Sequence, residues 1–320
     1  MKKNKLIIVC LLVFCLLSCR WTPGNNTKEK EGAEHEEFGL SNDEICIKQD
    51  LMRGGAIYYI SRATETRNLV NIHDEGRYIQ QAYYAGRDLN RQKDGQSPMW
   101  SPWPWNPIQV GDYACNRAQI LDYKKTGNSL YIKCVPMLWD MADCPAEAVM
   151  EQWTTLKGNV IKVRNKLVCQ RTDSIYGEGV KRDQEIPAVY LISALKNLYS
   201  YFGSAPFTNA SVRQTEVKQL ILNDPEHFWG AYDDASECWM AFVDDSLWGV
   251  GVYTPSATRL AGRYGNDLEG DALSSATSYI APLRVERLKK NSVMDYEYYL
   301  IIGSLDIIRK KVYEIRENKW

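Results

Sequence analysis

The sequence predicts a mainly β protein: a large antiparallel β-sandwich with a few short helices and one C-terminal helix. Short apolar or alternating runs recur between polar turn signals from about residue 45 onward, whereas long helical patterns are few. In one run, Ile161 and Val163 alternate with Lys162 and Arg164, which is the period of a half-buried strand. Many strands joined by polar turns favour a sandwich over a βαβ fold.

The strands are predicted from these runs in order along the chain. They cover residues 56–60, 78–84, 130–138, 160–168, 238–243, 248–253, 279–288 and 296–302. The segment VDDSLW at 243–248 predicts a hairpin that joins two of them.

Two helices are predicted from apolar spacing and capping residues. The first covers residues 194–202 and ends before Gly203, a residue type that commonly follows a helix. The second covers residues 305–316, with Ser304 as its N-cap. Its apolar face consists of Leu305, Ile308, Val312 and Ile315, so we expect it to pack on the sheet.

The N-terminus has the pattern of a targeting segment. Three lysines precede an apolar run at residues 6–17, which is too short for a membrane span. The run ends in LLSC at 16–19, which resembles a bacterial lipobox and implies cleavage before Cys19 and lipidation of that residue. An ordinary signal peptide with a chance cysteine is the alternative. We therefore expect a protein anchored by lipid to the bacterial envelope, at the outer membrane, on its periplasmic or its outer face.

This pattern also predicts the domain organisation. Residues 1–18 are the signal peptide, residues 19–44 are the lipidated cysteine and a flexible tether, and residues 45–320 form a single domain.

The charges of the chain nearly cancel, with 39 Lys and Arg against 40 Asp and Glu, and no basic stripe is visible. We therefore expect no nucleic-acid partner.

The cysteines and the short motifs predict neither a metal nor a cofactor. The cysteines that follow the targeting segment form no CxxC pair and have no histidine at metal-ligand spacing. In an oxidising compartment they permit disulfides, of which Cys134–Cys144 is the preferred pair, with buried free thiols as the alternative. Walker loops, GxSxG and HExxH are absent, and GGAIYY at 54–59 does not have a dinucleotide-binding pattern.

The densest polar segment covers residues 68–90. His73, Asp74, Glu75 and Arg77 fall within a turn that contains Gly76, and a strand-like run with Tyr83 and Tyr84 follows. A carboxylate beside an arginine is suited to fix sugar hydroxyls or neutralise a uronate, and a nearby histidine is suited to proton transfer. The alternative is a surface turn with solvated charges.

A second candidate segment is the loop PMWSPWPWNP at 98–107. Its prolines exclude a central strand and stiffen the chain that carries Trp100, Trp103 and Trp105. Tryptophan faces stack well on pyranose rings, and a stiff loop loses little entropy on binding, so we expect at least one of these rings to contact a ligand. The alternative is that all three fold back onto the core.

Two further carboxyl groups are candidates for acid–base chemistry. Glu185 leads into an apolar run, where burial would raise its pKa, and Asp234 follows Asp233 just before a predicted strand. For both residues the alternative is an ordinary solvated turn.

Several segments resemble the galactose mutarotase-like, or supersandwich, carbohydrate-active lipoproteins of gut Bacteroides-type bacteria. The resemblance rests on the lipobox and on GGAIYYI, NLVNIHDEGRYIQQAYY, LKGNVIKVRNKLV and WGVGVYTP, and it covers most of residues 50–303. It implies glycan recognition in a groove across a concave sheet, with an oligo- or polysaccharide as the partner. It does not carry over any specific catalytic residue.

The first functional hypothesis is a glycoside hydrolase that uses two carboxyl groups from Asp74, Glu75, Glu185 and Asp234. A polysaccharide lyase, with His73 or one of Tyr83 and Tyr84 as base and Arg77 neutralising a uronate, is a variant of it. The second hypothesis is a glycan-binding lipoprotein without catalysis. The third is a structural or assembly lipoprotein that uses the tryptophan loop as a protein-docking site.

Overall fold

The structure is a computed structural model that describes residues 38–85, 89–101, 105–171, 175–219, 229–265 and 270–319. The predicted signal peptide, Cys19, most of the predicted tether and Trp103 therefore lie outside the described residues. Within the described ranges, no helix is long and apolar enough to span a membrane.

The regular structure of the described chain is mainly antiparallel strand, with short 3-10 turns and one α-helix at the C-terminal end. In chain order the elements are β1 (Gly39–Ser41), β2 (Ile45–Asp50), β3 (Ala56–Arg62), β4 (Gln80–Ala82), β5 (Pro107–Ile108), β6 (Gln119–Thr126), β7 (Ser129–Val135), β8 (Met137–Leu138), β9 (Ala148–Lys157), β10 (Val160–Cys169), β11 (Lys181–Ile192), β12 (Asn197–Ser200), β13 (Arg213–Gln214), β14 (Trp239–Val243), β15 (Trp248–Tyr253), β16 (Arg259–Tyr264), β17 (Thr277–Arg287), β18 (Val293–Ser304) and α1 (Leu305–Arg316). The predicted mainly β fold class is confirmed.

Two large sheets face each other and enclose the main core. The first has nine strands in the order β13-β12-β14-β15-β18-β10-β9-β7-β6, and the second has six in the order β16-β17-β11-β4-β5-β8. A three-stranded sheet of β1, β2 and β3 accompanies them. The core contains Val163 and Leu300 of the nine-stranded sheet and Val189 and Ile280 of the six-stranded sheet. Each strand contributes every second side chain to this core, because successive side chains point to opposite faces of the sheet.

The sequence patterns account for the local structure in several places. The predicted hairpin is present, with Val243 opposite Gly249 in the register of β14 and β15. The C-terminal helix occupies the predicted residues, and the Oγ atom of Ser304 accepts a hydrogen bond from the Ile307 N–H at 3.4 Å. Its buried face includes Ile308, Val312 and Ile315, which pack with Trp239 of the nine-stranded sheet.

The helix predicted at residues 194–202 is wrong. Residues 197–200 form strand β12, in which Tyr199 lies opposite Ala241 of β14. Leu198 and Ser200 are buried, whereas Asn197 and Tyr199 are only half-buried, so the burial has a period of two. Pairing with the neighbouring strand therefore outweighs the local helix preference.

The preferred disulfide Cys134–Cys144 is also wrong, because both residues are free thiols. Cys134 points from β7 into the core with Leu130 and Ile132, and it is 1% exposed. Burial raises the pKa of the Cys134 thiol to about 12. Cys144 belongs to the loop after β8, where its carbonyl accepts a hydrogen bond from the Leu138 N–H.

The face of the six-stranded sheet that points away from the nine-stranded sheet is called the outer face here. It carries Ala82, Ala188, Ala261, Ala281 and Leu283, which belong to a separate apolar cluster. Four of these five side chains are methyl groups, and all five are buried, so larger residues cover the middle of the sheet. The larger residues that pack against this cluster are Tyr78, Trp139, Tyr190 and Trp229.

Candidate functional site

Glu185 lies on β11 in the middle of the outer face. Its Cα atom pairs with those of Leu283 on β17 and Ala82 on β4, and all three side chains point to the same face. The register of β11 shifts directly after Glu185, which is a β-bulge of the kind often found beside active sites.

Both carboxyl oxygens of Glu185 accept hydrogen bonds from tyrosines. The Tyr84 hydroxyl donates to Oε2 at 2.7 Å, and the Tyr279 hydroxyl donates to Oε1. Glu185 is 2% exposed. Burial raises the pKa of Glu185 above its ordinary value, although the two tyrosines and Arg263 favour the ionised form. The carboxyl group is thereby suited to hold a proton at a higher pH than a solvated glutamate does.

Aromatic rings surround this carboxyl group. The ring of Tyr279 lies 4.7 Å from that of Tyr190 and 6.2 Å from that of Trp229, measured between centroids. Trp229 also contacts Tyr84 at 6.0 Å. The guanidinium carbon of Arg263 lies 4.7 Å from the centroid of Tyr279 and 5.8 Å from that of Trp229. We call the set Tyr84, Glu185, Tyr190, Trp229, Arg263 and Tyr279 the aromatic site.

Strand register brings these residues together. Arg263 of β16 lies opposite Tyr279 of β17, and Tyr279 lies opposite Tyr190 of β11. Three neighbouring strands thus place an arginine and two tyrosines in one row of the outer face. On β16, Arg259 and Ala261 share this face with Arg263, because alternate residues of a strand point the same way.

The polar turn predicted at residues 73–77 is held against the loop that precedes β17. The Asn71 amide donates to the Ser274 and Ala276 carbonyls at 2.9 and 2.7 Å. The Nδ1 atom of His73 lies 2.8 Å from the Leu273 carbonyl oxygen. These contacts position the 3-10 turn Glu75–Arg77 at the border of the outer face.

Asp74 and Arg77 form an ion pair next to the aromatic site. Arg77 Nε lies 3.0 Å from Asp74 Oδ2, and Arg77 also donates to the Ser275 carbonyl. Partial burial raises the pKa of Asp74, against the opposing effects of Arg77 and His73. The charges of Glu185, Arg77 and Asp74 all affect the pKa of the Tyr190 hydroxyl, so Tyr190 lies within electrostatic range of both carboxyl groups.

Glu75 follows Asp74 in the chain and raises the pKa of Asp74, but the Glu75 carboxylate itself is directed to another partner. Glu75 forms an ion pair with Arg53, whose guanidinium also donates to the Cys115 carbonyl at 3.2 Å. Asp234 is exposed in the loop before β14, and its neighbour Asp233 pairs with Arg259. We therefore keep Asp74 and Glu185 as the candidate carboxyl pair.

The predicted aromatic ligands divide between the core and the surface. Tyr83 and Trp105 are 0% exposed, so neither leaves a face open to a sugar. Tyr83 donates to Gln81 at 2.8 Å, and the Trp105 indole donates to Glu147 at 3.1 Å. Neighbouring residues of an extended chain point to opposite sides, which is why Tyr84, two residues after the end of β4, reaches Glu185 whereas Tyr83 enters the core.

Trp100 lies at the surface beside a tryptophan that the sequence analysis did not single out. Its ring contacts that of Trp139 at 5.6 Å, edge to face. Trp139 also packs against Gly76, where an added Cβ atom would lie 2.8 Å from the indole. The two indole rings therefore lie together next to the turn that carries Asp74.

Four residues of the aromatic site were missed by the sequence analysis: Tyr190, Trp229, Arg263 and Tyr279. A usable signal was present on β16 and β17, where Arg259, Ala261 and Arg263 alternate with apolar residues and Tyr279 precedes Ala281 by two. Trp229 had no comparable pattern, because it belongs to a turn.

Among the residues that the structure describes, no group of three or more histidine, cysteine or acidic side chains is arranged to hold a metal ion. A cavity of about 640 Å³ lies between the nine-stranded sheet and α1, with Arg62, Asn159, Trp248 and Ile307 in its lining, and it contains no residue of the aromatic site.

Comparison with known proteins identifies the fold. No protein-family model matches the sequence, and no curated protein matches it. A solved galactose mutarotase related enzyme from Lactobacillus acidophilus is similar in structure, with a TM-score of 0.50 at 10% identity, over 83% of this chain and 97% of that chain.

Two other solved structures are more distant. One is a galactose mutarotase-like protein from Lactobacillus casei ATCC 334, with a TM-score of 0.47 at 9% identity, over 82% of this chain and 99% of that chain. The other is a 4-alpha-glucanotransferase from Thermococcus litoralis, with a TM-score of 0.44 at 12% identity, over 83% of this chain and 37% of that chain. The architecture and the Lactobacillus acidophilus likeness together show that the chain has the galactose mutarotase-like β-sandwich fold.

Proposed function

We propose that the outer face binds a glycan and that the protein is a glycoside hydrolase, with Glu185 as the general acid and Asp74 as the second carboxyl group. The observation that carries this proposal is the buried Glu185 carboxyl group, held by Tyr84 and Tyr279 within a cluster of aromatic rings. The fold agrees with a carbohydrate ligand, since the Lactobacillus acidophilus structure is described as a galactose mutarotase related enzyme.

The chemistry of such an enzyme requires two carboxyl groups in different environments. The general acid must hold a proton near neutral pH, and burial raises the pKa of Glu185 in that direction. Burial raises the pKa of Asp74 as well, but Asp74 is more exposed and Arg77 favours its ionised form, so it is the better candidate for the base or nucleophile. Trp229, Trp100 and Trp139 supply aromatic faces for the pyranose rings.

The test is product release from a panel of polysaccharides, measured as new reducing ends. We expect Glu185→Gln and Asp74→Asn each to lower the rate by about 10²- to 10⁴-fold, the usual contribution of a positioned acid or base. Asp122→Asn, an exposed carboxylate on β6, is the control and should leave the rate unchanged. A Glu185→Gln variant with an undiminished rate would contradict the acid role.

A second candidate function is glycan binding without catalysis. It is favoured by one observation: both Glu185 oxygens already accept hydrogen bonds, and the side chain is 2% exposed. Saturable binding of a polysaccharide without any new reducing end would favour this function over hydrolysis.

The lyase variant has less support. Tyr83 is in the core, and burial together with the Glu185 charge raises the pKa of Tyr84 well above its ordinary value, which makes it a poor base. His73 remains as a base for this reaction. An ultraviolet-absorbing unsaturated product in the same assay would favour the lyase.

We also propose that the protein is an exported lipoprotein of the bacterial envelope. This proposal rests on the basic, apolar and LLSC segments of residues 1–19. Metabolic labelling with an alkyne-tagged palmitate should mark the wild-type chain, and Cys19→Ser should abolish the label. Equal labelling of the Cys19→Ser variant would contradict lipidation at this residue.

A further inference from the structure

The arginines around the outer face differ in whether their charge is compensated. Arg77 is paired with Asp74 at 3.0 Å. Arg259 is paired with Asp183 at 2.7 Å and with Asp233. Within the described part of the chain, Arg263 forms neither an ion pair nor a hydrogen bond, and its contacts are the faces of Tyr279 and Trp229.

The orientation of Arg263 is nevertheless restrained. Its guanidinium carbon lies 4.7 Å from the centroid of Tyr279, a ring that is itself 1% exposed and hydrogen-bonded to Glu185. A guanidinium group that stacks on an aromatic face keeps the N–H donors at its edge available for a ligand. Arg263 itself is half-buried, so these donors lie at the border between the aromatic site and solvent.

Glu185 is not a hydrogen-bond partner of Arg263 in the described residues. Its two oxygens accept hydrogen bonds from tyrosines. The charge of Arg263 favours the ionised form of Glu185, although no hydrogen bond joins the two side chains. An anionic group on the ligand would supply the hydrogen-bond acceptors that Arg263 lacks in the described residues.

We infer that Arg263 is the specificity-determining residue of the aromatic site and that it binds the carboxylate of an acidic sugar residue. The planar fork of a guanidinium group matches a carboxylate with two parallel hydrogen bonds. Stacking of the same pyranose ring on Trp229, 5.8 Å from the guanidinium carbon, is compatible with this pairing. The inference rests on the proposed glycan-binding function and adds the substrate class to it.

The experiment compares acidic oligosaccharides with their own carboxyl-reduced forms, using the full chain. The probes are oligomers of galacturonate, glucuronate and mannuronate, each paired with the neutral oligomer obtained by reducing its carboxyl groups. Binding is measured by calorimetry at low salt. We expect at least one acidic oligomer to bind about 10- to 100-fold more tightly than its reduced form, the usual worth of a hydrogen bond to a charged group.

The variants separate direct recognition from general electrostatics. Arg263→Met should remove the preference for the acidic form, and Arg263→Lys should restore only part of it, because lysine keeps the charge but lacks the fork. Arg164→Met is the matched control, since it removes one positive charge from the nine-stranded sheet, where Arg164 is paired with Asp295. This control should keep the preference.

The outcomes also distinguish this inference from the proposed function. If the neutral oligomers bind as well as the acidic ones, or if Arg263→Met keeps the preference, the inference is overturned, even if the glycan is cleaved. If an acidic oligomer binds in an Arg263-dependent way without being cleaved, the inference stands and the hydrolase proposal fails. Absence of binding to every acidic oligomer overturns the inference as well.

Discussion

At the scale of single residues, two buried carboxyl groups outside the aromatic site show how environment decides the charge of a side chain. Glu237 is 0% exposed and accepts hydrogen bonds from Arg309, Trp239, Tyr313 and the Phe207 N–H. Burial disfavours its ionised form, but these donors outweigh that effect and lower the pKa of Glu237. Asp140 is equally buried but has fewer donors, and burial raises its pKa to about 6.

Glu237 should therefore stabilise the fold in its ionised form. We expect Glu237→Ala to lower the free energy of unfolding by about 3–5 kcal/mol at pH 7, because it leaves the buried Arg309 charge without its partner. The measurement is urea unfolding. Glu314→Ala, on the exposed side of α1, is the control and should cost less than about 1 kcal/mol.

The pH dependence of this effect follows from the lowered pKa. The stabilisation by Glu237 is fully present above the unfolded pKa and is lost as the pH falls through the lower folded pKa. The difference between the wild-type protein and Glu237→Ala should therefore shrink as the pH falls below about 4. A difference that stays constant down to pH 3 would contradict the assignment of an ionised Glu237.

Asp140 should have the opposite effect on stability. Because its pKa is raised from 3.8 to about 6 by burial, ionisation destabilises the folded state, and stability is lost as the pH rises through this interval. We expect Asp140→Asn to raise the free energy of unfolding by about 1–3 kcal/mol at pH 7.5 and to change it little at pH 3.5. An equal effect at both pH values would indicate a packing change instead.

At the scale of elements, α1 lies so close to the sheet that glycine is required beneath it. A Cβ atom added to Gly251 of β15 would lie 2.3 Å from the Ile308 Cγ2 atom. Gly251→Ala should therefore lower the free energy of unfolding by about 1–3 kcal/mol through overpacking. The check is a double-mutant cycle with Ile308→Ala: the Gly251→Ala substitution should cost clearly less when the Ile308 side chain is truncated. Additive effects would contradict the contact.

The elements also show where local patterns are reliable. Residues 305–316 form a helix as predicted, because a capping serine and a repeated apolar face agree over the whole segment. Residues 194–202 have a weaker helix pattern, and the open edge of β14 offers backbone hydrogen bonds that a helix there would leave unused. In that segment the partner strand decided the structure.

At the scale of the whole molecule, the main core draws side chains from all three sheets, such as Ile47 of β2, Val189 of β11 and Ile302 of β18. Phe38 and Leu40 also belong to this core, so the packed chain begins inside the predicted tether of residues 19–44. The single domain of residues 45–320 stays a prediction. We expect one unfolding transition in urea, with coincident midpoints by circular dichroism and by tryptophan fluorescence. Two separate midpoints would indicate independently folding parts.

The sequence by itself determined the fold class, half of the strands, the β14–β15 hairpin and the C-terminal helix. These features depend on local periodicity, turn residues and capping, which are readable from neighbours in the chain. It also pointed to Glu185 and Asp74 among several acidic candidates, but it did not separate them from Glu75 and Asp234.

Only the tertiary structure decided which of these residues meet. Glu185 is hydrogen-bonded to Tyr84 and Tyr279, which lie about a hundred residues to either side of it in the chain. Strand register sets such contacts, and a shift by one residue would turn each side chain to the other face of the sheet. For the same reason Tyr84 reaches the aromatic site while Tyr83 and Trp105 fill the core, although all three belong to aromatic runs of similar appearance.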